Sequence, residues 1–201
     1  MKKTCVIFIC ICLLLCGCTN NKESEGCVND TSDELNNYIS KNIILSEDKE
    51  IEYQDWVDQA KKCYRVAVQY KEEQVNEYRH TEDYFFFLLD DEIECLYVDY
   101  TKEKIGYDRY VWDACDFDAY LEDVTFDGQM DLIISLGHAG AGGDLVHCAY
   151  IYKDGKYIYT NSFEKIVNYK IDEENKCVVS MGGNEIIYKY NGTEFVEQIN
   201  N

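Results

Sequence analysis

Nine residues, Asp123-Val-Thr125-Phe-Asp127-Gly128-Gln129-Met-Asp131, have the one spacing in this chain that points to chemistry. Side-chain oxygens recur at positions one, three, five and nine, with glycine at six. A hard cation such as Ca²⁺ takes roughly six to eight oxygens at once, and an EF-hand-type loop supplies them at this spacing. Asp123, Thr125 and Asp127 would converge on the ion while Gln129 offers its backbone carbonyl. Asp131 would close the ring directly or through water, and Gly128 permits the sharp turn. Two positions depart from the full pattern. Thr125 puts a neutral hydroxyl where a carboxylate or amide is usual, and Ile134 stands where a bidentate glutamate would complete an EF-hand. The competing account is a plain Asp-Gly turn between two strands, with no ion. Three carboxylates within nine residues repel one another at close range unless compensated, which favours the ion.

Other groupings carry less chemistry. Gly137-His138-Ala-Gly140-Ala-Gly142-Gly143 is glycine-rich, but no Lys-Ser or Lys-Thr follows it, and Asp144 would repel a phosphate. It reads as a loop at a sheet rim, the kind of segment that contacts partners, with Gly137, His138, Gly140, Gly142, Gly143 and Asp144 as the contact candidates. His138, Asp144 and His147 lie close in sequence, yet His147 falls in an alternating strand and no third metal ligand is defined. No serine sits in a Gly-x-Ser-x-Gly elbow, the chain has three histidines, and no carboxylate pair stands out. No catalytic set emerges, and the expectation is a protein without enzymatic activity.

The chain opens with Met1-Lys2-Lys3 and an apolar run from Thr4 to Cys16 that is too short to span a bilayer comfortably. It reads as a signal-peptide core. Leu15-Cys16-Gly17-Cys18 resembles the lipobox of bacterial lipoproteins, which implies cleavage before Cys18 and lipidation of that cysteine. The expected location is the extracytoplasmic face of a cell membrane, held by the lipid anchor.

The whole chain has a formal charge of −20, and removing Lys2 and Lys3 with the leader gives −22. Such a surface repels nucleic acid and anionic lipid heads and favours cations or basic proteins. It also serves solubility alone. Eleven cysteines are present, five of them at or before Cys18. Cys27, Cys63, Cys95, Cys115, Cys148 and Cys177 remain, with no C-x-x-C pair, and sequence does not choose between disulfides and packed thiols.

The elements that must position the loop follow from periodicity. After the leader (1–17) and a polar tether (18–32), one domain is expected over 33–201. Thr31 and Glu34 have capping-box spacing and Leu35, Tyr38 and Ile39 share a helical face, which predicts a helix over 32–42. Trp56, Ala60, Cys63, Ala67 and Tyr70 recur at spacings of four and three, which predicts a second helix over 53–79. From residue 81 onward, short tyrosine-rich runs predict strands at 83–88, 93–100, 107–112, 117–122, 131–136, 145–152, 157–160, 169–171, 177–180, 185–190 and 194–198, with one helical turn within 162–168. Asp154-Gly155 and Asn191-Gly192 mark tight hairpins. The expected class is α+β: N-terminal helices over 33–80, then an antiparallel meandering sheet over 81–201 of the kind that forms part of a β-propeller.

A family resemblance adds to this. The calcium-loop segment, then Gly137–Gly143, Cys148-Ala-Tyr150-Ile-Tyr152, Gly155-Lys-Tyr157, Ser162-Phe-Glu-Lys-Ile166 and Tyr188-Lys-Tyr190, together resemble the partial-propeller lipoproteins with integrin-type calcium loops, over roughly residues 117–196. The resemblance implies an incomplete β-propeller and a calcium site at Asp123, Thr125, Asp127, Gln129 and Asp131, with the Gly137–Gly143 loop presented nearby. It also implies a protein-binding role. Characterised relatives include periplasmic inhibitors of lysozyme-like peptidoglycan hydrolases, so a basic hydrolase is the partner it suggests. A cell-wall-associated enzyme is the remaining alternative.

Overall fold

The computed structural model describes residues 29–72, 77–89, 92–100, 118–139 and 143–199. The chain divides into two compact units, Met1–Ile44 and Leu45–Asn201. The first contains helix α1, Asn29–Asn42, which covers the helix predicted over 32–42 but begins three residues earlier, so Thr31 lies inside it and is not its N-cap. Leu35 and Ile39, one turn apart, are both buried. The C-terminus is closed by the Ile43 N–H donating to Ile39 O (2.9 Å) and Asn42 Nδ2 donating to Tyr38 O (2.8 Å). No described helix is long and apolar enough to cross a membrane.

The second unit holds three antiparallel sheets of four strands, each a simple meander in sequence order. The first is β1 Lys49–Asp58, β2 Cys63–Glu72, β3 Glu77–Leu88 and β4 Ile93–Asp99. The second is β5 Ala119–Glu122, β6 Asp131–Ala139, β7 Asp144–Lys153 and β8 Lys156–Thr160. The third is β9 Lys170–Asp172, β10 Cys177–Ser180, β11 Ile186–Tyr190 and β12 Phe195–Glu197. A 3₁₀ turn, Asn161–Lys165, joins the second sheet to the third. The two expected hairpins are present: Asp154 and Gly155 both have positive φ (52° and 77°). Asn191 Oδ1 accepts the N–H groups of Thr193 and Glu194, each at 2.9 Å. The strand expected at 107–112 lies outside the described residues.

The predicted helix over 53–79 is not formed. Its described residues belong to β1, the β1–β2 turn, β2 and the start of β3. The spacing of Trp56, Ala60, Cys63, Ala67 and Tyr70 is coincidental. Ala60 is exposed in the β1–β2 turn, whereas Cys63 and Ala67 are fully buried in β2. Lys62 turns the chain with φ 54°, and Asp58 Oδ1 accepts the Lys61 N–H (3.0 Å). The decisive composition is β-branched and aromatic: Tyr53, Trp56, Val57, Tyr64, Val66, Val68 and Tyr70 fit a pleated surface better than a helix. Alternation failed to announce β2 because both its faces are buried, Arg65 and Ala67 on one and Val66 and Val68 on the other. The class is therefore mostly antiparallel β with one helix among the described residues, and not a helical half followed by a sheet.

The second sheet is packed on both sides. Leu132, Ile134, Leu136, Val146, Cys148 and Tyr150 face the first sheet, where they meet Cys63, Phe85, Phe87 and Val98. Ile133, Ala149 and Ile151 face the other way, against Phe163, Ile166, Val178, Tyr188 and Phe195. Each large side chain fully buried this way contributes about 1.5–3 kcal/mol. Phe87 stacks on Tyr157 at 4.3 Å, and Phe163 meets Phe195 edge-on at 5.0 Å. This double burial explains why β6 reads as the run Leu132-Ile-Ile-Ser-Leu136, apolar at every position but Ser135.

One ion pair is sealed inside the first sheet. Arg65 Nε donates to Asp83 Oδ1 (2.8 Å) and its terminal nitrogen to Oδ2 (2.6 Å), while the Tyr100 hydroxyl donates to Oδ2 (2.5 Å). The guanidinium lies 5.1 Å from the Tyr53 ring centroid and 5.6 Å from that of Phe85. Among the described residues, Cys63, Cys95, Cys148 and Cys177 form no disulfide. Burial pushes the Cys63 thiol up to about 12, leaving it inert.

Candidate functional site

The loop Asp123–Asp131 joins β5 to β6 and is built by its own carboxylates. Asp123 Oδ2 accepts the Gly128 N–H (2.8 Å), and Oδ1 accepts the Asp127 N–H (3.2 Å) and the Thr125 hydroxyl (3.4 Å). Asp127 Oδ1 accepts the Gln129 N–H (2.8 Å). These bonds fold the loop so tightly that Phe126 and Gly128 both take positive φ (62° and 86°). Gly128 does so without strain; Phe126 does so at a cost that the surrounding bonds offset.

Asp131 plays a different part from the other two. Its side chain is fully buried. Oδ2 accepts the N–H groups of Val124 (3.1 Å) and Thr125 (3.3 Å), and Oδ1 accepts the Tyr152 N–H (3.0 Å) from β7. Burial pushes its carboxyl up to about 6, against the lowering pull of the Tyr152 and Val124 N–H groups. Asp131 is thus the clasp that fixes both loop ends to the neighbouring strand.

Among the described residues, no group of three or more His, Cys, Asp or Glu is gathered as a metal cluster. The side-chain oxygens that meet here are the Asp123 carboxylate and the Thr125 hydroxyl, while the Asp127 carboxylate is bonded to its own turn at the Gln129 N–H. Each carboxylate oxygen accepts more than one bond, so the backbone bonds orient these groups without exhausting them. An all-oxygen set of this kind fits a hard cation and no soft one.

The glycine-rich segment sits elsewhere than expected. It forms the β6–β7 hairpin tip, at the opposite end of β6 from the Asp123–Asp131 loop, a strand length of about 26 Å at ~3.3 Å per residue. It is not presented beside the Asp123–Asp131 loop. The ladder is irregular between Ser135 and Gly137, where Gly137 takes φ 84°. His138 Nδ1 and Gly143 O are hydrogen-bonded at 2.7 Å across the tip. Gly140 and Gly142 lie outside the described residues. Asp144 Oδ1 accepts Asn168 Nδ2 (2.7 Å), and Asn168 Oδ1 accepts the Leu145 N–H (2.8 Å), so Asp144 ties the hairpin base to the third-sheet connection.

His138, Asp144 and His147 have unrelated surroundings and form no set. His147 is 4 % exposed, and its Nδ1 is buried without a hydrogen-bond partner. Burial pulls the imidazole down to about 4, so it is neutral at pH 7. Between pH 6.5 and 4 the unfolded chain therefore takes up a proton that the folded chain does not. Stability from this group is complete above pH 6.5 and falls by about 3 kcal/mol by pH 4. The measurement is urea unfolding of wild type and His147→Gln across that window; parallel pH profiles would contradict it.

Sequence reasoning set His147 aside and did not single out Tyr120, Glu122 or Tyr169, which the fold brings beside it. Strand alternation was the available signal for the first three: Tyr120, Glu122 and His147 share one face of the second sheet.

Comparison of the chain with known protein families, curated proteins and solved structures returns no match.

Proposed function

We propose that this chain is a membrane-anchored, extracytoplasmic protein-binding module without enzymatic activity, built on an incomplete β-propeller and stabilised by calcium. The observation that carries the reading is the Asp123–Asp131 loop, where Asp123 accepts the N–H groups of Asp127 and Gly128 while Asp131 clasps the loop to β7. Three meandering four-stranded sheets, stacked in sequence order with the middle one buried on both faces, support the propeller part. Asp123, Thr125, Asp127 and the Gln129 carbonyl would hold Ca²⁺, which would supply positive charge to a crowded acidic turn.

Calcium is expected to raise the melting temperature of the full-length protein. With Thr125 and Ile134 in weak-ligand positions the dissociation constant should be about 10⁻⁴–10⁻³ M. Ca²⁺ at about tenfold above that value adds ~1.4 kcal/mol, worth roughly 3–5 °C in a chain of this size. Asp127→Ala removes the shift. A melting temperature indifferent to Ca²⁺ and to EGTA would leave the loop as a self-bonded turn.

The charge of −22 after loss of the leader favours a basic partner, and a lysozyme-like hydrolase is the second reading. The β6–β7 tip around His138 is the contact surface this reading assigns. Inhibition of a panel of lysozyme-type enzymes at low salt, weakening steeply as salt rises, is its test. A panel left fully active would remove it.

A further inference from the structure

Between the second and third sheets, apart from the Asp123–Asp131 loop, lies an open cleft of about 380 Å³. Tyr120 and Glu122 from β5, His147 from β7, and Asn168, Tyr169 and Lys170 at the start of the third sheet line it. The Tyr169 hydroxyl donates to Glu122 Oε2 (2.7 Å), and the Tyr120 and Tyr169 hydroxyls are 2.5 Å apart. Each phenol has one proton. Tyr169 spends its own on the carboxylate, so Tyr120 donates to Tyr169. The chain of bonds leaves two acceptors over: the Tyr120 oxygen and Glu122 Oε1.

The imidazole of His147 completes the cleft. Two tyrosine rings fix it edge-on, Tyr169 at 4.8 Å and Tyr120 at 6.2 Å between centroids. It makes no hydrogen bond, and its Nδ1 is sealed away without a partner. A neutral ring has a single N–H, and an orphaned buried donor is rarer than an under-satisfied acceptor. The proton therefore sits on Nε2, which becomes a donor for whatever enters. Asn168 is already satisfied by Asp144 and Leu145 and serves as wall. Lys170 stands exposed at the mouth as a second donor.

The geometry points to this cleft as a binding site for a neutral, hydroxyl-rich small molecule, a saccharide of one or two rings. Hydroxyl groups both donate and accept, which matches a surface offering Nε2–H and ammonium donors beside phenol and carboxylate acceptors. Aromatic rings meet the apolar face of a sugar ring, and the volume falls within the range of small-molecule pockets. A cationic guest would face Lys170, and an anionic one would face Glu122.

The test uses the full-length protein in a sugar-free detergent, with N-acetylglucosamine, galactose, maltose and cellobiose as probes and lysine amide and acetate as charged comparators. Binding is followed by calorimetry and by the imidazole ¹⁵N resonances. At least one sugar is expected to bind with a dissociation constant of about 0.1–1 mM, the weak range that suits few polar contacts on an open cleft. It should shift the His147 ring signals. Tyr169→Phe, which keeps the ring but breaks the hydroxyl chain, and His147→Gln should each weaken it about tenfold or more. Unchanged melting of Tyr169→Phe separates lost binding from lost folding. Three outcomes overturn the proposal: no sugar binds, a sugar binds equally to the variants, or lysine amide or acetate binds in preference.

Discussion

Arg65→Met is expected to remove about 3–5 kcal/mol of folding stability, because it strips the cation from a carboxylate that water does not reach. Asp83 is 0 % exposed and Arg65 4 %. The pair is bidentate, with donor–acceptor distances of 2.8 and 2.6 Å. Methionine keeps most of the volume and the contact with the Tyr53 and Phe85 rings, so the loss reports the stranded charge and not a cavity. The double variant Arg65→Met with Asp83→Leu should recover much of the loss, since an apolar pair of similar volume carries no desolvation penalty. Urea unfolding of the two singles and the double forms the measurement. A single variant within about 1 kcal/mol of wild type, the size of a surface pair, would show that the pair is reached by solvent.

Asp131→Ala should be nearly as damaging, and for a different reason. No charge is stranded; backbone donors are. The N–H groups of Thr125 and Tyr152 terminate on this carboxylate, and that of Val124 is shared between it and Glu122 O (3.1 Å each). A buried unpaired donor costs about 1–3 kcal/mol, and the loop relaxes enough for water to rescue some of them. A net loss of about 3 kcal/mol is the expected result. Asp131→Asn should fall between, because its amide oxygen still accepts while its NH₂ faces a donor. Hydrogen exchange gives the local readout: the Val124 and Tyr152 amides lose protection in Asp131→Ala before the rest of β7. Retained protection at both amides would mean that the ladder, not the clasp, holds the loop.

The sequence made the second and third sheets legible because their residues speak locally. Asp154-Gly155 and Asn191-Gly192 name their turns, and Cys177–Ser180 was placed to the residue. The turn at Asp127-Gly128 is legible from its residue types alone, whereas Asp131's role as clasp depends on Tyr152, far away in the chain. The helix-like pattern within the first sheet has a physical origin. Arg65 looks like a solvent-facing residue until Asp83 is known to meet it across the β2–β3 ladder, and without that knowledge the polar residues of β2 mimic the outer face of a helix. The cleft depends on the same kind of distant meeting: Tyr120, Glu122 and His147 share a face of the second sheet, but Tyr169 joins them only when the third sheet stacks on it.

Every strand in the three sheets pairs only with its neighbour along the chain, and this fixes an order of assembly. Ladders of sequence-adjacent strands close short loops, which keeps contact order low for an all-strand unit and favours rapid formation. A chain emerging N-terminus first can finish β1–β4 before β5 appears. That early sheet is not yet stable, because Phe85, Phe87 and Val98 wait for Leu132, Ile134 and Val146. The arrival of β5–β8 is the point of commitment, since it supplies one wall of each core. A chain halted after Thr160 would hold the first core closed and leave Ile133, Ala149 and Ile151 as an open apolar wall, a half-built intermediate prone to self-association.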